Sequence, residues 1–253
     1  MTGRDISLAD IRREIDAIDD GIVDLLVHRA AAQKKVKANK EAAGSLALSP
    51  VRPAREAEIL RRVVKRAQGK LDPELLVSLW RQILVTSTLS QARVKVHAAR
   101  AVVASENLFG MVAAHFGSMP LVVHGDETNA LAALAGSTGD LAVFETTGGW
   151  VSCFAERAAG QARILGALPI IGTNGMPPLL IAGHAEAAPS GDDSTLLISR
   201  QAPHADARWS VVADGMFVTC LEGFLADEEI AARGYGRPPE FVVAGRFPGQ
   251  IKV

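Results

Sequence analysis

From Leu8 onward, Leu8, Ile11, Ile15, Ile18, Ile22, Leu25, Ala32 and Val36 recur, mostly at three- and four-residue steps. This seam runs over roughly 30 residues and predicts a long helix that packs against other helices. Ser7 is placed to cap its start. Gly21 inside the pattern costs about 1 kcal/mol relative to Ala, which a packed seam can outweigh. The helix is expected to fray near Gly44, with a loop through Ser49 and Pro50. Pro53 suits the first turn of a second helix, whose face runs Ala57, Leu60, Val63 and Val64 to Gly69. Asp72 and Pro73 open a third, continued by Leu75, Leu76, Leu79, Ile83, Leu84 and Leu89 to about Lys95. One long helix and two shorter ones make half of a helical bundle.

Composition changes at residue 97. Residues 1–97 hold 18 Lys and Arg against 12 Asp and Glu, whereas the rest hold 9 against 16. Of the 23 glycines, 19 follow residue 97, as do 9 of the 12 prolines. Two domains are therefore expected, 1–97 helical and 98–253 of another kind. Trp80 is the only aromatic residue in the basic part, and charges of both signs alternate along its helices. That leaves no platform for stacking bases and argues against a nucleic-acid partner. Cys153 and Cys220 match no metal spacing and read as free, half-buried thiols. The six histidines are scattered, so no metal is expected. The chain begins with charged, helix-patterned sequence, and no apolar run reaches bilayer length. A cytoplasmic protein with no membrane partner is expected.

Polar residues interrupt the helical faces. Arg29 lies in the seam between Leu25-Leu26 and Ala32, and Lys40 follows eleven residues later on the same face, about 16 Å along the axis. Arg55 and Glu56 fall in the first turn of helix two, and Ser87 and Gln91 stand one turn apart on helix three. Taken singly, such an arginine snorkels and such a pair is a surface ion pair. Taken together, several cations with two neutral donors suit a small, doubly charged anion, because a buried cation is costly unless an anion meets it. Arg12 lies about 25 Å from Arg29 on another face of the same helix. One small ligand can be gripped by both only if an antiparallel partner helix brings a second Arg12 to the first Arg29.

The run Ile11-Arg12-Arg13-Glu14-Ile15-Asp16 with Ile18-Asp19, then Leu25-Leu26 to Arg29, Lys40, Arg55-Glu56, and Ser87-Thr88-Leu89-Ser90-Gln91 resembles the all-helical chorismate mutases. These form intertwined dimers of three-helix chains. The resemblance covers residues 8–95. It implies chorismate as substrate, prephenate as product, a homodimer and no cofactor. Arg12 from the partner chain and Arg29 would hold the two carboxylates, and Lys40 and Gln91 would donate to the ether oxygen. Glu56 would accept the substrate hydroxyl, Ser87 would steady a carboxylate, and Arg55 would support the site electrostatically. The family often has an Asp shortly before the Arg-Glu pair; Arg52-Pro53-Ala54 stands there in this chain. Gln91 is neutral at every pH, so no requirement for acid is expected.

Residues 98–253 read as an α/β domain. Ala101–Ala104, Leu121–Val123, Leu141–Phe144, Leu179–Ile181, Thr195–Ile198 and Phe241–Val243 are apolar runs of strand length. Asn107 to His115, Glu127 to Leu134, and Cys220 to Ala232 look helical, and Thr146 to Trp150 reads as a turn. Alternation of this kind suggests a small parallel or mixed sheet. This half is weakly similar to part of a prephenate dehydratase, with 98–188 as an α/β lobe and 189–253 as an ACT-like region. The likeness rests on Ser194–Ile198 and Gly245-Arg246-Phe247-Pro248. The catalytic Thr-Arg-Phe of that family would fall at Ser194-Thr195-Leu196, so its Arg is absent. Two other readings stay open: a bifunctional mutase and dehydratase, and a non-catalytic dimer that senses a metabolite.

Overall fold

The computed structural model describes residues 7–42, 49–156, 158–172 and 175–252. The chain divides into two compact units, Met1–Leu46 and Ala47–Val253. The first holds one helix, α1 (Leu8–Ala42). Ser7 caps it as its position predicts: Ser7 Oγ accepts from the Asp10 amide, and Asp10 accepts from the Ser7 amide in return. The apolar seam stays open, with Leu8, Ile11, Ile15, Ile18, Ile22, Leu25, Leu26 and Val36 between 41% and 69% exposed.

The second unit begins with two helices, α2 (Pro53–Ala67) and α3 (Pro73–Leu89). Pro53 and Pro73 each occupy the first turn, and Asp72 accepts from the Glu74 amide. Gln68 and Gly69 close α2 in the left-handed region, at φ 52° and 72°. The two helices pack through Leu60, Val77 and Leu84, with Ile251 among them. Arg61 fastens α2 to the rest of the unit, donating to the carbonyls of Ser190, Asp192 and Gly249 and to Ser190 Oγ. The composition break near residue 97 therefore falls inside the second unit, Ala47–Val253.

A nine-stranded mixed sheet follows: β1 (Val96–Ala99), β2 (Leu121–His124), β3 (Leu141–Glu145), β4 (Arg163–Leu168), β5 (Leu179–Gly183), β6 (Asp193–Ser199), β7 (Ala207–Ala213), β8 (Met216–Glu222) and β9 (Phe241–Pro248). Their order is β2-β1-β3-β5-β4-β9-β6-β8-β7. β2, β1 and β3 run parallel, β9 lies parallel to β4, and the other pairings are antiparallel. Short helices α4 (Arg100–Ala104), α5 (Glu106–Phe116), α6 (Glu127–Ala132), α7 (Val151–Ala155) and α8 (Asp227–Ile230) fill the connections. Alternation along β3 splits the core. Ala142 and Phe144 join Trp150, Phe154, Leu196 and Phe247 in one cluster, while Leu141 and Val143 join Val85, Val112, Phe116 and Ile181 in another. Residues 193–248 continue the same sheet as residues 96–183. At its middle, Gly245 of β9 lies against β4 so closely that a Cβ there would stand 2.2 Å from the Ile164 carbonyl oxygen.

Three expectations are corrected. Helix three ends at Leu89, because Ser90 and Gln91 close it with amide bonds to the carbonyls of Thr86 and Thr88. The first strand is then Val96–Ala99, and the run Ala101–Ala104 lies in α4. A short apolar run looks alike in a buried strand and a buried helix, and His97 hides the true strand by breaking its apolar character. Cys220 belongs to β8 and not to a helix; only Asp227–Ile230 of that stretch is α-helical. Asp214 and Gly215, both at positive φ, turn β7 into β8. An Asp-Gly pair between alternating runs is a strong hairpin signal.

Candidate functional site

Six of the seven polar residues have described side chains. Arg12 is exposed on α1. Arg29 is half-buried on the same helix, and that burial pulls its guanidinium below its ordinary pKa. Lys40 continues α1, but its side chain lies outside the described residues. Arg55 points outward and donates to Glu58 Oε2 at 2.8 Å. Ser87 is buried, its Oγ donating to the Ile83 carbonyl at 2.6 Å. Gln91 follows the end of α3 and donates through Nε2 to the Ser87 carbonyl at 3.1 Å. Stacking Ser87 and Gln91 one turn apart is what their spacing predicts.

Glu56 turns into the second unit. Its Oε2 accepts from Arg81 Nη1, and both side chains are largely buried. Arg81 Nε and Nη2 donate to the His115 carbonyl at 3.1 and 3.0 Å. Spacing alone did not mark Arg81 as functional: it follows Trp80 on a largely apolar helix whose other charged residue is Glu74. Its burial is the signal, and burial is visible only in the fold. An arginine in such a place is held by the carboxylate beside it.

Glu56 and Arg81 line a cavity of about 90 Å³ together with His115 and apolar side chains that include Leu60, Leu165 and Ile181. His115 is partly buried, and its enclosed Nδ1 has no hydrogen-bond partner among the described residues. Burial, and then the charge of Arg81, hold its imidazole well below the ordinary histidine range, so it is neutral at pH 7.

A second polar chain crosses the parallel strands. Asp140 Oδ1 accepts from the Lys95 amide at 2.8 Å, and Asp140 Oδ2 lies 3.2 Å from His97 Nε2. His97 Nδ1 lies 2.9 Å from His124 Nε2. An ionised Asp140 only accepts, so His97 donates through Nε2 and accepts at Nδ1 from His124. Burial, then the neighbouring His97, lower the His124 pKa, with Asp126 opposing. Position along the chain gave no hint of this set, because 43 residues separate His97 from Asp140. Among the described residues no group of three or more His, Cys, Asp or Glu side chains is arranged to hold a metal ion. Cys153 and Cys220 are free and buried, and burial pushes the Cys220 thiol up to about 11.

Against known proteins, residues 11–92 match the family model described as chorismate mutase type II. All seven polar positions fall within that span. A bifunctional chorismate mutase/prephenate dehydratase of Stutzerimonas stutzeri is 32% identical over 111 residues, which cover 42% of this chain. The same alignment spans only 29% of the length of that curated relative. A solved structure described as "GqqA- a novel type of quorum quenching acylases" aligns over 62% of this chain and 96% of its own. Its identity is 13% and its TM-score 0.39, too loose a likeness to bear on fold or function. No helix among the described residues is long and apolar enough to cross a membrane.

Proposed function

We propose that this protein is a cytoplasmic chorismate mutase of aromatic amino-acid biosynthesis, working as a homodimer through its helical segment, residues 1–97. The observation that carries this reading is the family match over residues 11–92, with Arg12, Arg29, Lys40, Arg55, Glu56, Ser87 and Gln91 all inside it. The open seam of α1 supports the dimer. Burying side chains that are roughly half exposed along 30 residues is worth on the order of 10 kcal/mol before the cost of association.

The chemistry asks for what these residues offer. Conversion of chorismate to prephenate breaks one C–O bond and forms one C–C bond within a single molecule, so it needs neither nucleophile nor metal. A catalyst must hold the compact conformer and stabilise charge growing on the ether oxygen. Arg29 and Arg12 of the partner subunit would grip the two carboxylates with their planar forks. Lys40 and Gln91 would donate to the ether oxygen. Glu56 would accept the substrate hydroxyl at Oε1 while Oε2 stays on Arg81. Ser87 would turn its hydroxyl from the Ile83 carbonyl to a carboxylate, and Arg55 would add to the positive field.

Dehydration of prephenate by residues 98–253 has less behind it. Ser194, at the position of the catalytic Thr of the dehydratases, is buried, and its Oγ accepts from Arg208 Nη1 at 3.0 Å. Its hydroxyl is engaged in structure, and Thr195 replaces the expected Arg.

Complementation tests the shared site. Chains carrying Arg12→Ala and chains carrying Arg29→Ala are each expected to be inactive. Unfolded together in equal amounts and refolded, they form mixed dimers with one intact site, so about one quarter of wild-type activity returns under two-fold symmetry. No recovery in a mixture proven to contain mixed dimers would show that Arg12 does not act across the interface.

A further inference from the structure

Apart from Glu56, the lining of the cavity beneath α2 shares no residue with the mutase set, yet it combines features that belong to a ligand site. Its walls are apolar, with Val51, Leu60, Leu165 and Ile181 among them. Three titratable groups are set into those walls, beside the Gln250 amide. Glu56 accepts one hydrogen bond at Oε2, and its Oε1 has none among the described residues. A guanidinium carries five N–H donors. Those of Arg81 that are committed point to the His115 carbonyl, twice, and to Glu56, which leaves one N–H on Nη1 and one on Nη2. The third group is the ring of His115, whose buried Nδ1 lacks a partner. A buried polar atom without a partner, as at His115 Nδ1, costs free energy that a ligand can return.

Charge and size narrow the ligand. Glu56 and Arg81 cancel and His115 is neutral, so the cavity has no net charge and carries one dipole. A net anion or a net cation would leave a buried charge unbalanced. A zwitterion would not: its ammonium can reach Glu56 Oε1 while its carboxylate takes the two spare N–H groups of Arg81. A cavity of about 150 Å³ holds benzene, about 25 Å³ per carbon. At about 90 Å³ this one takes roughly four carbons, a branched aliphatic group and not an aromatic ring.

We propose that this site binds a small aliphatic α-amino acid of leucine size, with only its side chain inside the cavity and its head group at the mouth, on Arg81 and the 19%-exposed Glu56. Glu56 is shared with the mutase set, so occupancy would lower mutase activity. That consequence rests on the mutase reading, whereas binding itself does not.

The test is calorimetric titration of the full-length protein with L-leucine, isoamylamine and 4-methylpentanoate. The last two each keep one half of the head group. Saturable binding of one leucine per chain is expected, at least tenfold tighter than either half. Glu56→Gln and Ala57→Leu, the first removing the charge and the second narrowing the cavity, should each weaken binding at least tenfold. Thermal unfolding of both variants establishes that they are folded. Absence of saturable leucine binding to the wild-type protein would overturn the proposal. So would equal affinity for a half-head compound, or binding that both folded variants leave unchanged. None of these readouts depends on turnover, so failure here would leave the mutase reading standing.

Discussion

Replacing Glu56 by Ala isolates the ion pair that anchors the first turn of α2. Arg81 is 6% exposed at its side chain and Glu56 19%, so the pair sits in a medium where an unpaired cation is costly. Breaking a fully buried pair from one side costs about 3–5 kcal/mol. Two features put this one at the lower end. Glu56 retains some contact with water, and Arg81 keeps its two bonds to the His115 carbonyl. A loss of about 2–3 kcal/mol is expected. With a urea m-value of about 2–3 kcal/mol/M, the midpoint should fall by about 1 M. The double variant Glu56→Leu with Arg81→Met removes both charges and should recover most of the loss, because the penalty comes from the stranded cation. Urea melts followed by circular dichroism and by Trp fluorescence read all three proteins. A single variant less than about 1 kcal/mol below wild type, or a double variant no better than the single, would refute this reasoning.

Further outcomes follow from the same structure. His115 is neutral in the fold, its pKa held below that of the unfolded chain, so the unfolded state binds a proton first as pH falls through about 6.5. Stability should be full above that pH and decline below it by up to about 1.4 kcal/mol per pH unit, and His115→Phe should flatten the slope in chemical melts between pH 7 and pH 5. Gly245→Ala places a methyl group on the Ile164 carbonyl, a backbone contact that cannot turn aside. It should cost about 3 kcal/mol or more in thermal melts, and a loss under about 0.5 would contradict the close approach of β4 and β9. Arg29→Lys keeps the charge and loses the fork, so KM for chorismate should rise more than about tenfold, with a smaller change in kcat.

The three long helices α1, α2 and α3 were legible because their signals are local. Ser7, Pro53, Asp72 and Pro73 occupy the ends that their chemistry predicts, and the seam of α1 follows from spacing alone. Strands with uninterrupted apolar runs, β2, β3, β5, β6 and β9, were legible for the same reason. The strands that escaped notice carry mixed character. β1 includes His97, β4 starts at Arg163, and β7 carries Arg208, which bonds Ser194 across the sheet. Sheet order was beyond reach, since β9 inserts between β4 and β6 and only tertiary packing fixes that. Spacing singled out Arg29, Glu56, Ser87 and Gln91; of these Glu56 lines the cavity, beside Arg81 and His115, which spacing did not mark. Those two act through burial, and burial belongs to the folded chain.

Loss of chorismate on adding the purified full-length protein, with products separated by chromatography, tests the central claim most directly. The account predicts turnover to prephenate, with no phenylpyruvate formed until acid is added. A folded, dimeric protein that leaves chorismate unchanged would contradict it.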